Sequence, residues 1–403
     1  MNYGRLVGKA EAIIATGMPG LYRVLAFMGV QKLYSLSDLG RAASAFSIAQ
    51  ILAFFTAIGW ASLILVRVPA ARDREERVER FYELLRMGVV SLLVLGIGVV
   101  LWSRFSHSEI SGTETIVIMI GWTIYQLTRH YFLALRKYRR VIFYDVVLLV
   151  ATTAYVLISR RLGVSAGLPL GAALGTTGMF MLINIGLPRV FPKTKTMELK
   201  GIEFGFTNFL SGGVALSLVP IANFTDGARF AGVISLIASV SAISALVPRA
   251  ISMYRLPELS RLASEGKSLK ELSTQTAREI MLSCLGAFVV NALIVACIVF
   301  YEGALDRLWY TSICGVALCA QGCISMLGMA NSSVLMVREA SRASMTINAA
   351  SCCLFVTALI GSYAVTESLN FYIVLIVCII VTVFRNFLLR RQSASFLISP
   401  RAE

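Results

Sequence analysis

Runs of about twenty predominantly apolar residues recur along the whole chain, and a helix of that length crosses the hydrocarbon core of a bilayer. They lie at Ala12–Leu33, Ala42–Val66, Leu84–Trp102, Thr115–Leu135, Val141–Ile158 and Ser165–Leu187, then at Ile202–Ala222, Phe230–Val247, Glu279–Phe300, Leu308–Val337, Ala343–Val365 and Leu369–Leu389. None has the alternating polarity of a barrel strand, so the runs suit helices, which satisfy their own backbone groups in lipid. Composition agrees: 57% of residues are hydrophobic and 15% charged, with a mean hydropathy of +0.76. Soluble domains carry about 45–50% apolar and about 25% charged residues. A soluble enzyme, a disordered chain and a disulfide scaffold are thereby excluded. The expected fold class is an all-α integral membrane protein of twelve transmembrane helices.

The formal net charge of +15 would suggest nucleic acid in a soluble chain. Here its distribution gives another account. Of 37 Lys and Arg residues, 26 fall in the two termini and the loops on their side, 7 in the opposite loops, and four (Arg23, Arg86, Arg129 and Arg385) within spans. Cytoplasmic loops attract Lys and Arg, so both termini are expected in the cytoplasm, with an even number of spans and no nucleic-acid partner. The first run is preceded by charges and has no small-residue cleavage site, so it reads as a retained span.

The opposite loops are short, the longest being Ser103–Glu114, and leave no room for a catalytic domain. There is no Gly-x-x-x-x-Gly-Lys-Ser/Thr nucleotide loop and no His-Glu-x-x-His metal spacing. The histidines are His107 and His130. All eight cysteines lie in spans of the second half, where no histidine accompanies them, so they read as small apolar residues and not as metal ligands. Catalysis has little to work with, and transport leads as the function class.

The chain divides into halves of six spans, 1–190 and 201–403, joined by the basic, proline-containing segment 191–200. In each half the second loop is the long one, Arg67–Glu83 and Pro248–Ala277. Both are expected to lie as charged amphipathic segments on the membrane surface. Even-numbered halves share orientation, which makes them parallel topological repeats.

Three segments resemble Wzx-type polysaccharide flippases of the multidrug/oligosaccharidyl-lipid/polysaccharide (MOP) superfamily. The first is Arg23-Val-Leu-Ala-Phe27, followed by an acidic-x-Gly turn at Leu36-Ser-Asp-Leu-Gly40 and a second span opening Ala42-Ala-Ser-Ala-Phe46. The second is the Gly59-Trp60 end of span 2, feeding a charged loop. The third is Leu256-Pro-Glu-Leu-Ser-Arg-Leu-Ala-Ser-Glu-Gly-Lys267 after span 8; the equivalent first-half loop lacks this Pro-x-Leu-x-Arg form. The resemblance implies two six-helix lobes around a central cavity. It also implies alternating access that carries an undecaprenyl-pyrophosphate-linked oligosaccharide across the bacterial inner membrane, ahead of O-antigen or capsule assembly. The implied partners are that lipid-linked oligosaccharide, membrane lipids, a polysaccharide polymerase and a chain-length regulator. No cofactor is implied; a proton or sodium gradient or the membrane potential would supply the drive.

Arg23 stands near the middle of span 1, where a charge costs at least about 2.5–3.5 kcal/mol and must face the bundle interior or a wet cavity. It is either a bidentate contact for pyrophosphate or a structural arginine held by carbonyls or a carboxylate. Just before it, Gly17, Pro19 and Gly20 in Thr16-Gly-Met-Pro-Gly20 mark a static kink or a working hinge, because Pro19 removes a helical hydrogen bond. Arg129 is a second cationic candidate for substrate, or snorkels toward the Arg136–Arg140 cluster. His130 is either a titrating group or a hydrogen-bonded core imidazole. Asp145 is the one acidic residue well inside a span; a local pair with the cytoplasmic arginines leads, with a pair to Arg129 or Arg23 or the binding of a coupling ion as the alternatives. Arg86 and Arg385 lie close enough to span ends to snorkel. Asn208 leads the in-span amides as a sugar contact, ahead of Asn184, Asn291, Gln321, Asn331 and Asn348, although amides also join helices. The Trp122-x-x-Tyr125 pair either stacks on a sugar or belongs to an interfacial belt.

A proton- or sodium-coupled small-molecule exporter of the same superfamily is the alternative, and it needs an acidic cavity. A membrane polysaccharide polymerase would need large basic outer loops, which are missing.

Overall fold

The computed structural model describes residues 3–105, 110–188, 200–301, 308–338 and 340–398. Among them there is no strand. The helices are α1 (Tyr3–Leu33), α2 (Leu36–Ala53), α3 (Gly59–Arg67), α4 (Arg74–Phe105), α5 (Gly112–Ala134), α6 (Tyr138–Arg161), α7 (Gly167–Ile185) and α8 (Lys200–Asp226). After them come α9 (Ala228–Ser244), α10 (Leu246–Ser264), α11 (Lys270–Tyr301), α12 (Leu308–Leu327), α13 (Met329–Val337), α14 (Ser341–Thr366) and α15 (Phe371–Ile398). A single π-helical turn, Phe54–Ile58, joins α2 to α3 in one span. His107, the connecting residues 191–199 (Lys195 included) and Arg307 lie outside the described residues.

Ten of the described helical segments are long and apolar enough to cross a membrane. With α1, of 31 residues, and α5, of 23, the segments of spanning length match the twelve apolar runs. Their outward faces are apolar too: Leu93, Ile97, Val150, Ile183, Leu293 and Ile360 are each more than half exposed. A water-soluble protein rarely leaves so much apolar surface uncovered; acyl chains would cover it.

Several boundaries differ from the hydropathy reading because polar groups finish helices that apolar runs only begin. The Leu36–Gly40 segment is not a turn but the first turn of α2. Ser35 caps it: its hydroxyl accepts from the Asp38 amide at 3.1 Å, and the Asp38 carboxylate accepts from the Ser35 amide at 3.2 Å. The charged segment after α3 does not lie flat as a separate element, since Arg74–Glu83 forms the opening turns of α4. The other long loop folds as α10, whose Leu259 and Ala263 are buried with Leu269, Leu272 and Val334. Protein, not lipid, therefore covers its apolar face.

The chain forms two compact units, Met1–Ser235 and Leu236–Glu403. In the first, α5 packs along α7, α6 against α1, and α2–α3 against both α5 and α8. Glycines permit the closest of these approaches. A Cβ on Gly121 would run into the Gly171 carbonyl, and one on Gly59 into the Gly201 carbonyl. In the second unit, α11 and α15 each pack on α12, and α14 packs on α15.

Candidate functional site

Charge is rare in the interior of the first unit, so each charged group there needs an account. The buried charged side chains among the described residues are Glu114, Arg129 and Asp145. Glu114, in the first turn of α5, accepts a 3.0 Å hydrogen bond from the Gly167 amide at the start of α7. A carboxylate at a helix N-terminus is well placed, since the free amides and the helix dipole both favour it.

Arg129 and Asp145 hold each other. From α5, Arg129 donates through Nε to Asp145 Oδ1 and through Nη2 to Oδ2 on α6, both at 3.3 Å. The Tyr125 hydroxyl, one turn earlier on α5, also donates to Asp145 Oδ1. The second acceptor for Arg129 Nη2 is the backbone carbonyl of Ala15 on α1. That carbonyl is available for a definite reason. In an α-helix the carbonyl of residue 15 bonds the amide of residue 19, and residue 19 is proline, which has none. The guanidinium thus takes the hydrogen bond that Pro19 leaves unmade, and α1 continues through the proline as one helix.

The structure therefore pairs Asp145 with Arg129, and not with Arg23 or the cytoplasmic arginines Arg136, Arg139 and Arg140. It places Arg129 inward, away from the snorkelling position toward Arg136–Arg140. Tyr125 is committed to Asp145, and its ring centroid lies 6.2 Å from that of Trp122. Trp122 is buried and packs edge-on against Phe46 at 5.4 Å, an interior position and not an interfacial belt. His130 Nδ1 lies 2.7 Å from the Gln126 carbonyl of its own helix, as a core imidazole does.

Arg23 contrasts with Arg129. Its side chain is half-buried, its guanidinium carbon lies 5.4 Å from the centre of the Phe27 ring, and its Nε is buried without a protein partner. No ion pair neutralises it among the described residues. Phe27 in turn meets Phe46 edge-on at 5.6 Å. An aromatic path thus runs from Arg23 through Phe27, Phe46 and Trp122 to Tyr125. On the helices that carry Phe46 and Trp122 lie polar atoms that are buried with no protein partner: Trp122 Nε1, Ser47 Oγ and Gln50 Oε1. Buried polar groups are almost always hydrogen-bonded, so this density of uncommitted donors and acceptors sets the region apart from ordinary core. Gln50 falls on the Phe46 side of α2, one turn further along.

Gly17 is buried, while Gly20 has open space around it. Together with Pro19 they lie within α1, one turn before Arg23. Asn208 is half-buried on α8 and its amide donates to the Phe204 carbonyl of the same helix at 2.8 Å. In the second unit, Arg385 does not simply snorkel: its Nε donates to Asn348 at 2.7 Å. Asn331 receives the Ser393 hydroxyl at 2.9 Å, and Asn291 reaches Ser241 at 3.4 Å. These amides join helices. The eight cysteines are free thiols.

Sequence reasoning left Ser47 and Gln50 unmarked. Their signal was three polar residues at intervals of three, Ser44, Ser47 and Gln50, in an otherwise apolar span.

No protein-family model matches the chain, and no curated protein matches it in sequence. Solved structures do match its fold. An inward-facing multidrug resistance MATE family transporter of the MOP superfamily is 14% identical, with a TM-score of 0.73 over 93% of this chain and 94% of that one. A MATE multidrug transporter solved as a complex is 13% identical, with a TM-score of 0.64 over 96% and 95%. A MOP superfamily transporter from Pyrococcus furiosus, described by a binding pocket of reversed polarity that suggests a different function, is 12% identical with a TM-score of 0.57 over 96% and 94%. The chain has the fold of these MATE transporters.

Proposed function

We propose that the protein is a flippase for an undecaprenyl-pyrophosphate-linked oligosaccharide, carrying it from the cytoplasmic to the outer leaflet of a bacterial inner membrane by alternating access. One observation carries the reading: the interior of the first unit holds an uncompensated cation, Arg23, while its acids are committed elsewhere, Asp145 to Arg129 and Glu114 to the Gly167 amide. A cation in that setting favours an anionic substrate, and a guanidinium offers pyrophosphate two parallel donors. The uncommitted Trp122 and Gln50 groups suit sugar hydroxyls and ring faces. One fold neighbour is described by a binding pocket of reversed polarity that suggests a different function, which supports reading pocket polarity as a guide to the substrate. Both termini would lie in the cytoplasm, and an ion gradient or the membrane potential would drive the cycle.

The second reading, a proton- or sodium-coupled small-molecule exporter, is favoured by the multidrug transporters among the fold neighbours. It needs an available carboxylate, and Asp145 is engaged by two donors.

The test is lipid-linked glycan in a deletion strain. Build-up of undecaprenyl-linked repeat units on the inner leaflet, cleared by the wild-type gene, supports the flippase. Arg23→Ala should leave that build-up in place at an equal membrane level of protein, and Arg23→Lys should clear part of it. Normal export by Arg23→Ala, or a deletion with no build-up and increased drug sensitivity, refutes the reading.

A further inference from the structure

Two basic segments far apart in sequence meet at one end of the first unit. The opening turns of α4 are seated against the last turns of α5 by Phe81, whose ring centroid is 5.2 Å from that of Tyr131. This brings Arg74 and Arg77 beside the tight turn between α5 and α6, which carries Lys137, and beside Arg140 in the first turn of α6.

The opening of α4 also carries four carboxylates, but helical geometry keeps them away. At about 100° per residue, Arg74, Arg77 and Phe81 share one side of α4, while Glu75, Glu76, Glu79 and Glu83 fall on the other. Neighbouring arginines find acids: Arg80 pairs with Glu76 at 2.5 Å and Arg139 with Glu11 at 2.6 Å. Arg74, Arg77, Lys137 and Arg140 enter no ion pair among the described residues. Arg77 Nε is moreover buried with no partner.

The chemistry of this end is that of a leaflet boundary. Along α6, Arg140 is followed at helical spacing by the exposed Phe143, Val146 and Val150. Cations above lipid-facing apolar side chains stand where a phospholipid places its phosphate above its acyl chains. We propose that Arg74, Arg77, Lys137 and Arg140 form a binding site for the phosphate headgroup of an anionic membrane phospholipid. Its electrostatics favour an anion: burial and the like charges of Arg140, Arg74 and Arg77 push the Lys137 ammonium below its ordinary pKa, and a phosphate would relieve that repulsion. The site is independent of what the protein transports.

Native mass spectrometry of delipidated protein, given dioleoyl phosphatidylglycerol or dioleoyl phosphatidylcholine, tests it. The wild type should retain the anionic lipid preferentially. Each charge removed should lower that preference about five-fold, so Arg77→Gln or Lys137→Gln alone is measurable even if the combined variant folds poorly. The combination R74Q/R77Q/K137Q/R140Q should abolish the preference. The matched variant K270Q/R342Q/R390Q/R391Q, which removes four exposed cations elsewhere, should keep it. Equal retention by the two fourfold variants, or unchanged retention by both single variants, overturns the site. Complete displacement of phosphatidylglycerol by millimolar inorganic phosphate overturns the lipid assignment and leaves a free-anion site.

Discussion

Replacing Asp145 by alanine tests the arrangement around Pro19 most directly. Arg129 and Asp145 are only 4% and 1% exposed, so neither can be re-solvated when the other goes. Asp145→Ala takes two charge-assisted hydrogen bonds from Arg129 and leaves it the Ala15 carbonyl alone. It also strands the Tyr125 hydroxyl. Removing one partner of a buried pair costs about 3–5 kcal/mol, and an unsatisfied buried hydroxyl about 1–3 kcal/mol more. For a unit of this size each kcal/mol lowers the melting temperature by about 2–4 °C. Asp145→Ala should therefore melt at least about 8 °C below wild type, followed in detergent by the fluorescence of the buried Trp60 and Trp122.

Further variants separate charge from geometry. Arg129→Met with Asp145→Leu removes both charges, and such replacements are often neutral. Here the double variant still leaves the Ala15 carbonyl and the Tyr125 hydroxyl unpaired. Tyr125→Phe removes the hydroxyl. Pro19→Ala supplies the missing amide, so α1 satisfies Ala15 by itself. The quadruple variant should recover wild-type melting to within a few degrees, while the double variant stays below it. If Asp145→Ala melts within about 3 °C of wild type, or Pro19→Ala gives the Arg129→Met background nothing, the reasoning about the freed carbonyl fails.

Two further outcomes are expected. Gly59→Val should force α3 off α8 and lower the yield of monodisperse protein in size-exclusion chromatography, whereas Gly20→Ala, in open space, should leave it unchanged. In a cysteine-free background, single cysteines at Lys267 and Arg391 should be shielded from a membrane-impermeant maleimide added to intact cells, and one at Arg161 should react; labelling at Lys267 would overturn the orientation drawn from the 26-to-7 basic distribution.

The spans were legible because lipid admits so few solutions: about twenty apolar residues in a row leave the backbone only one way to satisfy itself. The ends were less so, because hydropathy does not register a cap. Ser35 and Asp38 extend α2 back to Leu36, and the charged turns before Leu84 continue α4 instead of lying flat. α10 misled for the reason that any amphipathic helix does: the sequence shows an apolar face but not whether lipid or protein covers it, and here Leu259 and Ala263 meet α11 and α13 residues.

Within the site, the partner of Asp145 depended on how α1, α5 and α6 are rotated about their own axes, which no span-level periodicity states. One signal was nevertheless present. A proline inside a helix frees the carbonyl four residues before it, so Pro19 marked Ala15 as an acceptor in need of a donor, in a membrane interior where donors are few. Arg129 and Arg23 were the two candidates. The structure gives the carbonyl to Arg129, together with the nearest carboxylate, and leaves the mid-span Arg23 with an aromatic ring and an unpaired Nε. One arginine is spent on holding α1 together at its weakest turn, and this leaves the other, one turn further along the same helix, without an ion pair among the described residues.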